Sequence, residues 1–236
     1  MKIQLAFILI IFLIPPAFAI STTMKPIYQP GETLIIEIQG NILEPIQFED
    51  IELKRNNVQV PWEYDVKKLG SKYFLWGIVP DNENNYTLYI NNIAATSEGK
   101  VKYIDYNQSF STQGELIPYS IKPGIILTST AEFEIIAILN RDIPEMIKTN
   151  FPEEREFLLN PGENKIKFSA KSVEQGFYTI EIGIYSIPIL TTKKQDELII
   201  LPKLRFFPKS IESTILLNDN RIYPFSIINA DRKSVV

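Results

Sequence analysis

Chemistry in this sequence has to be sought among carboxylates and aromatic rings, because its 236 residues include neither histidine nor cysteine. That removes the commonest general base and the commonest transition-metal ligand. A Ser-His-Asp triad, a Cys-His dyad and any zinc site built on His or Cys are impossible. Two acidic groups remain. Glu153, Glu154 and Glu156 follow Pro152 and flank Arg155. Paired carboxylates hydrolyse glycosides when they face each other across a cleft, and neighbours on one strand or loop do not set that separation. Asp81 and Glu83 lie among asparagines and could offer oxygens to calcium. Their spacing lacks the glycine and the distal glutamate of an EF-hand loop, so they read as a solvated turn. The 10 glycines sit singly, with no phosphate-cradling loop. No catalytic activity, cofactor or metal is expected.

The aromatic candidates are Trp62 and Trp76, the only tryptophans, with Tyr64 close to the first. Sugar-binding sandwiches stack pyranose rings on exposed aromatic faces. Trp76, inside Phe74-Leu75-Trp76-Gly77-Ile78, reads as core. Trp62, between Pro61 and Glu63, reads as exposed, and Trp62 with Tyr64 is the possible ligand contact. Asn85-Tyr86-Thr87 and Asn107-Gln108-Ser109 match the N-glycosylation pattern, with Asn107 expected in a loop.

These residues must be carried by strands. Leu34, Ile36 and Ile38 alternate with polar neighbours after the Pro30-Gly31 turn, the period of a half-buried strand. Asn56-Asn57 offers a tight turn, since asparagine tolerates positive φ. Tyr73 to Val79 is a compact apolar run, and Tyr86, Leu88 and Ile90 alternate again. Val101 to Ile104 and a short piece near Phe110 complete a first unit. The second runs through Ala131 to Leu139, a turn at Asn160-Pro161-Gly162, Lys165 to Ala170, one long strand from Phe177 to Ile187, and Glu197 to Leu201. Turn signals about every ten residues and no helical period predict an all-β chain of sandwiches.

The first nineteen residues differ. Met1-Lys2, an apolar run from Ile3 to Ile14, Pro15-Pro16 and Ala17-Phe18-Ala19 have the layout of a secretory signal cleaved after Ala19. The alternative is an uncleaved membrane anchor, as the stretch approaches the roughly 20 residues a bilayer requires. Export suits a cysteine-free chain whose cores suffice without disulfides. The net charge of −4 and pI near 5.1 disfavour nucleic acid.

Tyr86 and Tyr178 each open the penultimate strand of their unit, two residues after Asn84 and Gly176, which are expected at positive φ. Both resemble the tyrosine corner of Greek-key sandwiches, whose hydroxyl bonds to upstream backbone. On these residues, and on Pro30-Gly31-Glu32 before a strand, residues 24–201 resemble tandem immunoglobulin-like and macroglobulin-type modules of prokaryotic cell-surface or secreted proteins. The resemblance implies a scaffold and carries no site. The expected organisation is a signal peptide over 1–19, immunoglobulin-like β-sandwiches over 20–115 and 116–201, and a partial third β unit over 202–236, as in a fragment of a longer array. The expected function is that of an exported, non-catalytic surface, structural or adhesion protein whose partners are other surface proteins or glycans. The alternative is a carbohydrate-binding accessory module of a larger extracellular protein.

Overall fold

The computed structural model describes residues 20–97, 99–192, 204–207 and 226–229. The signal-like segment over 1–19, the expected strand at Glu197–Leu201 and most of the expected third unit over 202–236 lie outside them. The regular elements of the described residues are all strands apart from one 3₁₀ turn at Phe48–Asp50. Strands β1 (Ile20–Thr22), β3 (Thr33–Gly40), β6 (Tyr64–Leu69) and β7 (Lys72–Ile78) form one sheet in the order β1-β3-β7-β6. Strands β2 (Ile27–Tyr28), β4 (Ile51–Arg55), β5 (Val58–Gln59), β8 (Asn85–Ser97) and β9 (Lys100–Thr112) form the facing sheet, ordered β2-β9-β8-β4-β5. Alternate residues of both close the first core: Leu34, Ile36, Ile38, Tyr73 and Leu75 meet Leu53, Tyr86, Leu88, Ile90 and Phe110. Asn56 and Asn57, at φ 49° and 64°, make the turn between β4 and β5.

The second sandwich repeats this wiring. Strands β10 (Tyr119–Lys122), β12 (Glu132–Leu139) and β15 (Gly162–Ser169) form one sheet. Strands β11 (Ile126–Thr128), β17 (Tyr185–Thr191), β16 (Gly176–Ile182), β13 (Glu145–Thr149) and β14 (Arg155–Leu159) form the other, in that order. In each sandwich a short strand lies parallel to the last one, β2 on β9 and β11 on β17. The order is that of an immunoglobulin-like Greek key. The second sandwich lacks a counterpart of β6 because only Asn160 and Pro161 separate β14 from β15.

Two expectations about strands are corrected. Phe177 to Ile187 is a hairpin and not one strand: Gly183, at φ 56°, turns the chain so that Ile182 pairs with Tyr185. An apolar run hides such a turn when its residues are buried on both sides of it. Asn107 lies inside β9, opposite Tyr89, and not in a loop, because β8 and β9 form a single hairpin of 13-residue strands with a bulge between Ile90 and Ile93.

The chain divides into two compact units, 1–193 and 194–236. Both sandwiches belong to the first. In the second, β18 (Leu204–Phe207) pairs antiparallel with β19 (Ser226–Asn229).

Candidate functional site

Among the described residues, the most elaborate site is the junction between the two sandwiches. Strand β7 turns Tyr73 and Leu75 into the first core and Phe74 and Trp76 to the opposite side. A sheet face of that kind is normally wet. Here Ile125 and Leu190 of the second sandwich cover it, together with Leu69, Ile35 and Ile78 of the first. Burial on both faces is why β7 reads as a continuous apolar run. Trp76 is 5% exposed, and it lies against Gly124 so closely that a Cβ there would stand 2.7 Å from the Trp76 Cβ. Phe74 stacks on Phe177 at 5.9 Å.

Polar groups fix the register of this contact. The Thr33 hydroxyl donates to Ile121 O at 2.8 Å and accepts from Ile121 N at 2.9 Å, both buried. The Tyr185 hydroxyl donates to Tyr119 O at 2.9 Å and receives the Thr33 N–H at 3.4 Å. The Tyr119 hydroxyl in turn accepts from Ile184 N at 3.1 Å. Lys122 and Glu63 pair at the rim, 3.2 Å apart. Buried hydroxyls bonded in this way on Thr33 and Tyr185 favour one arrangement. None of Thr33, Tyr119, Tyr185 and Gly124 is conspicuous in sequence, and the one available signal is the unbroken apolar run of β7.

Burial also pushes the Tyr185 phenol upward, and pushes Tyr28, under Phe110 in the first core, up to about 12. In the unfolded chain both ionise near 10. Folded protein therefore holds more protons than unfolded protein above pH 10, and stability falls as pH rises from there. Tyr28 by itself is expected to remove about 3 kcal/mol once pH passes its folded value. Urea denaturation across this range, read beside phenolate absorbance, checks it: a flat profile would mean these phenols are solvated.

The two tyrosine corners are built alike. Tyr86 donates to Asn82 O at 3.2 Å, and Tyr178 to Glu174 O at 3.0 Å. Neither Asn84 nor Gly176 has positive φ. A threonine on the last strand does the holding instead. Thr112 donates to Asn82 O at 2.6 Å and accepts the Asn84 N–H at 2.8 Å. Thr191 donates to Glu174 O at 2.8 Å and accepts the Gly176 N–H at 3.0 Å. Replacing Tyr86 or Tyr178 with phenylalanine is expected to cost about 1 kcal/mol each, the net value of one such bond. Denaturant midpoints would show it, and an unchanged midpoint would mean threonine suffices.

Trp62 is half-buried rather than exposed. It lies on Gly77, whose Cβ would stand 2.7 Å from the Trp62 Cε3. Register shows why: Gly77 faces the first core at the position Phe168 takes in the second. The indole thus occupies the space that the phenylalanine ring fills in the other sandwich. Tyr64 stacks on Trp62 at 4.7 Å and on Phe48 at 4.3 Å, and its hydroxyl donates to Phe48 O and Ile51 O at 3.1 Å. The rings of Trp62 and Tyr64 are engaged with each other, and Phe48, 50% exposed, offers the outermost ring of the column.

The acids are dispersed. Glu83 accepts from Gly114 N at 2.9 Å, Glu153 pairs with Arg155 at 2.6 Å, and Glu156 with Lys148 at 3.0 Å. Among the described residues, no group of three or more Asp or Glu is placed to hold a metal. Asn85 and Asn107 are exposed on one face of the β8–β9 hairpin, and Thr87 and Ser109 of the same two sequons share a hydrogen bond of 2.9 Å. An open cleft of about 660 Å³ at the far end of the second sandwich is lined by Thr128, Thr130, Lys171 and Thr191. Its threonine hydroxyls are bonded to neighbouring backbone or to each other.

No family model matches the chain, and no curated protein matches it. Among solved structures it is similar to native alpha-2-macroglobulin from Escherichia coli, in a crystal structure spanning domains MG0-NIE-MG1. The identity is 12%, covering 80% of this chain and 72% of that one, with a TM-score of 0.30. So loose a likeness carries nothing about function, and the sheet order itself defines the fold.

Proposed function

We propose that this chain is an exported, non-catalytic surface protein whose two sandwiches act as one rigid spacer that presents loops and edges to other surface proteins or glycans. The observation that carries the reading is the junction: Thr33 bonded to both backbone groups of Ile121, and Trp76 packed on Gly124. A spacer transmits position only if its modules do not swivel, and a packed, hydrogen-bonded interface removes the swivel that a bare linker leaves. The signal-like pattern over Met1–Ala19 supports export, and the engagement of Glu83, Glu153 and Glu156 in local bonds supports a non-catalytic role.

The absence of cysteine makes the test direct, because two introduced cysteines can be spin-labelled without background. Labels at Ser109→Cys and Ser186→Cys, one in each sandwich, are expected to give a single narrow distance distribution. A broad distribution would remove the rigid-spacer reading. The export part is checked by intact mass in medium and membrane fractions, where a species cut after Ala19 indicates release and an uncut one an anchor.

A further inference from the structure

The apolar socket of the junction is present in one sandwich and erased in the other. The bonds Val79 N to Glu32 O, 2.9 Å, and Ala170 N to Ala131 O, 2.7 Å, close the same corner of each and place their residues in register. The cross-strand pair Ile35–Trp76 of the first then corresponds to Glu134–Lys167 of the second, Phe74 to Lys165, and Ile78 to Ser169. Lys165 lies 3.8 Å from Glu134, with both side chains solvated. The opposite flank differs as well. Aligned through Thr112 and Thr191, Leu190 corresponds to Ser111 and Tyr185 to Tyr106. Beside Tyr106 the first sandwich carries a polar cluster. Thr22 donates to Gln108 Oε1 at 2.6 Å, Tyr106 bonds the same oxygen, and Gln108 Nε2 donates to Met24 O at 3.2 Å.

We infer that the outer face of β3 and β7 is a single-use recognition surface for a sandwich edge bearing a glycine notch, and that the matching face of the second sandwich is closed to a partner of that kind. The partner this face fits has four features: Gly124, which admits the indole; Ile125 and Leu190, which cover it; and one strand residue offering both N–H and C=O to Thr33. The matching face of the second sandwich refuses that partner, because docking would bury Glu134, Lys165 and Lys167, at several kcal/mol per desolvated ion. Terminal modules of stacked arrays carry polar outer faces for the same reason. The inference concerns module pairing and stands whether or not the chain is exported.

The test exchanges the two faces in the full chain. Ile35→Glu/Trp76→Lys writes the pair of the second sandwich into the first. It is expected to split one calorimetric transition into two, with hydrogen exchange rising around 31–35 and 119–125 and not around Tyr86. Trp76→Phe keeps the ring and removes an indole N–H that has no hydrogen-bond partner, so it should retain a single transition. The reciprocal change, Glu134→Ile/Lys167→Trp, is expected to sediment as larger species than the parent. A single unshifted transition in the first variant would overturn the socket. So would loss of both sandwiches at once, which would mean one indivisible core. Unchanged sedimentation of the reciprocal variant would overturn the closing role of the charges.

Discussion

Valine at position 124 is expected to open the junction and to lower the melting temperature by about 2–12 °C. The first added atom would already stand 2.7 Å from the Trp76 Cβ and 2.9 Å from the Ile35 Cγ1, and both neighbours are fixed by their own strands. Neither is the free end of a flexible side chain, so relief requires the sandwiches to move apart. Overpacking of this kind costs about 1–3 kcal/mol and sometimes more. For a body of this size each kcal/mol is worth about 2–4 °C. Calorimetry and Trp76 fluorescence read the two parts of the effect. A variant with the parent's melting point and emission would show that Gly124 has room to spare and that the packing is looser than its distances imply.

Trp62→Ala is expected to cost about 3 kcal/mol, at the lower end for truncating a large aromatic because the ring is only half-buried. The cause is the void left over Gly77, beneath Tyr64 and beside the first core. The second sandwich suggests its own repair: Gly77→Phe supplies from the strand the ring that Trp62 supplies from the loop. Gly77→Phe alone collides with the indole and should also destabilise. The double variant Trp62→Ala/Gly77→Phe should recover more than half of the loss, a strong positive coupling in a double-mutant cycle. If Trp62 instead served to hold a ligand, Trp62→Ala would leave the denaturation midpoint unchanged, and the cycle would show no coupling.

Much of the architecture was legible in sequence because a strand's period of two is written locally. Leu34, Ile36 and Ile38 announce β3, and Tyr86, Leu88 and Ile90 announce β8, since one buried face needs no knowledge of what covers it. Asn56-Asn57 is legible for the same reason, its positive φ values being a property of the residues themselves. Tyr86 and Tyr178 stand out as tyrosines near the start of their strands. Their threonine partners do not, because Thr112 lies 26 residues beyond Tyr86 and Thr191 only 13 beyond Tyr178, so no fixed spacing links them.

What the chain by itself determined is therefore the class, an all-β succession of short strands built without histidine or cysteine chemistry. Tertiary structure decided the rest. Whether Trp76 faces a core or a partner depends on Gly124 and Ile125, nearly fifty residues away, closing over the outer side of β7. Whether Trp62 is a platform or a filler depends on Gly77, whose missing side chain matters only once β6 and β7 have paired. A glycine inside a strand hints at close approach but does not say by what. Alternation fixes which way a side chain points, and only the packing of distant segments settles what it meets there.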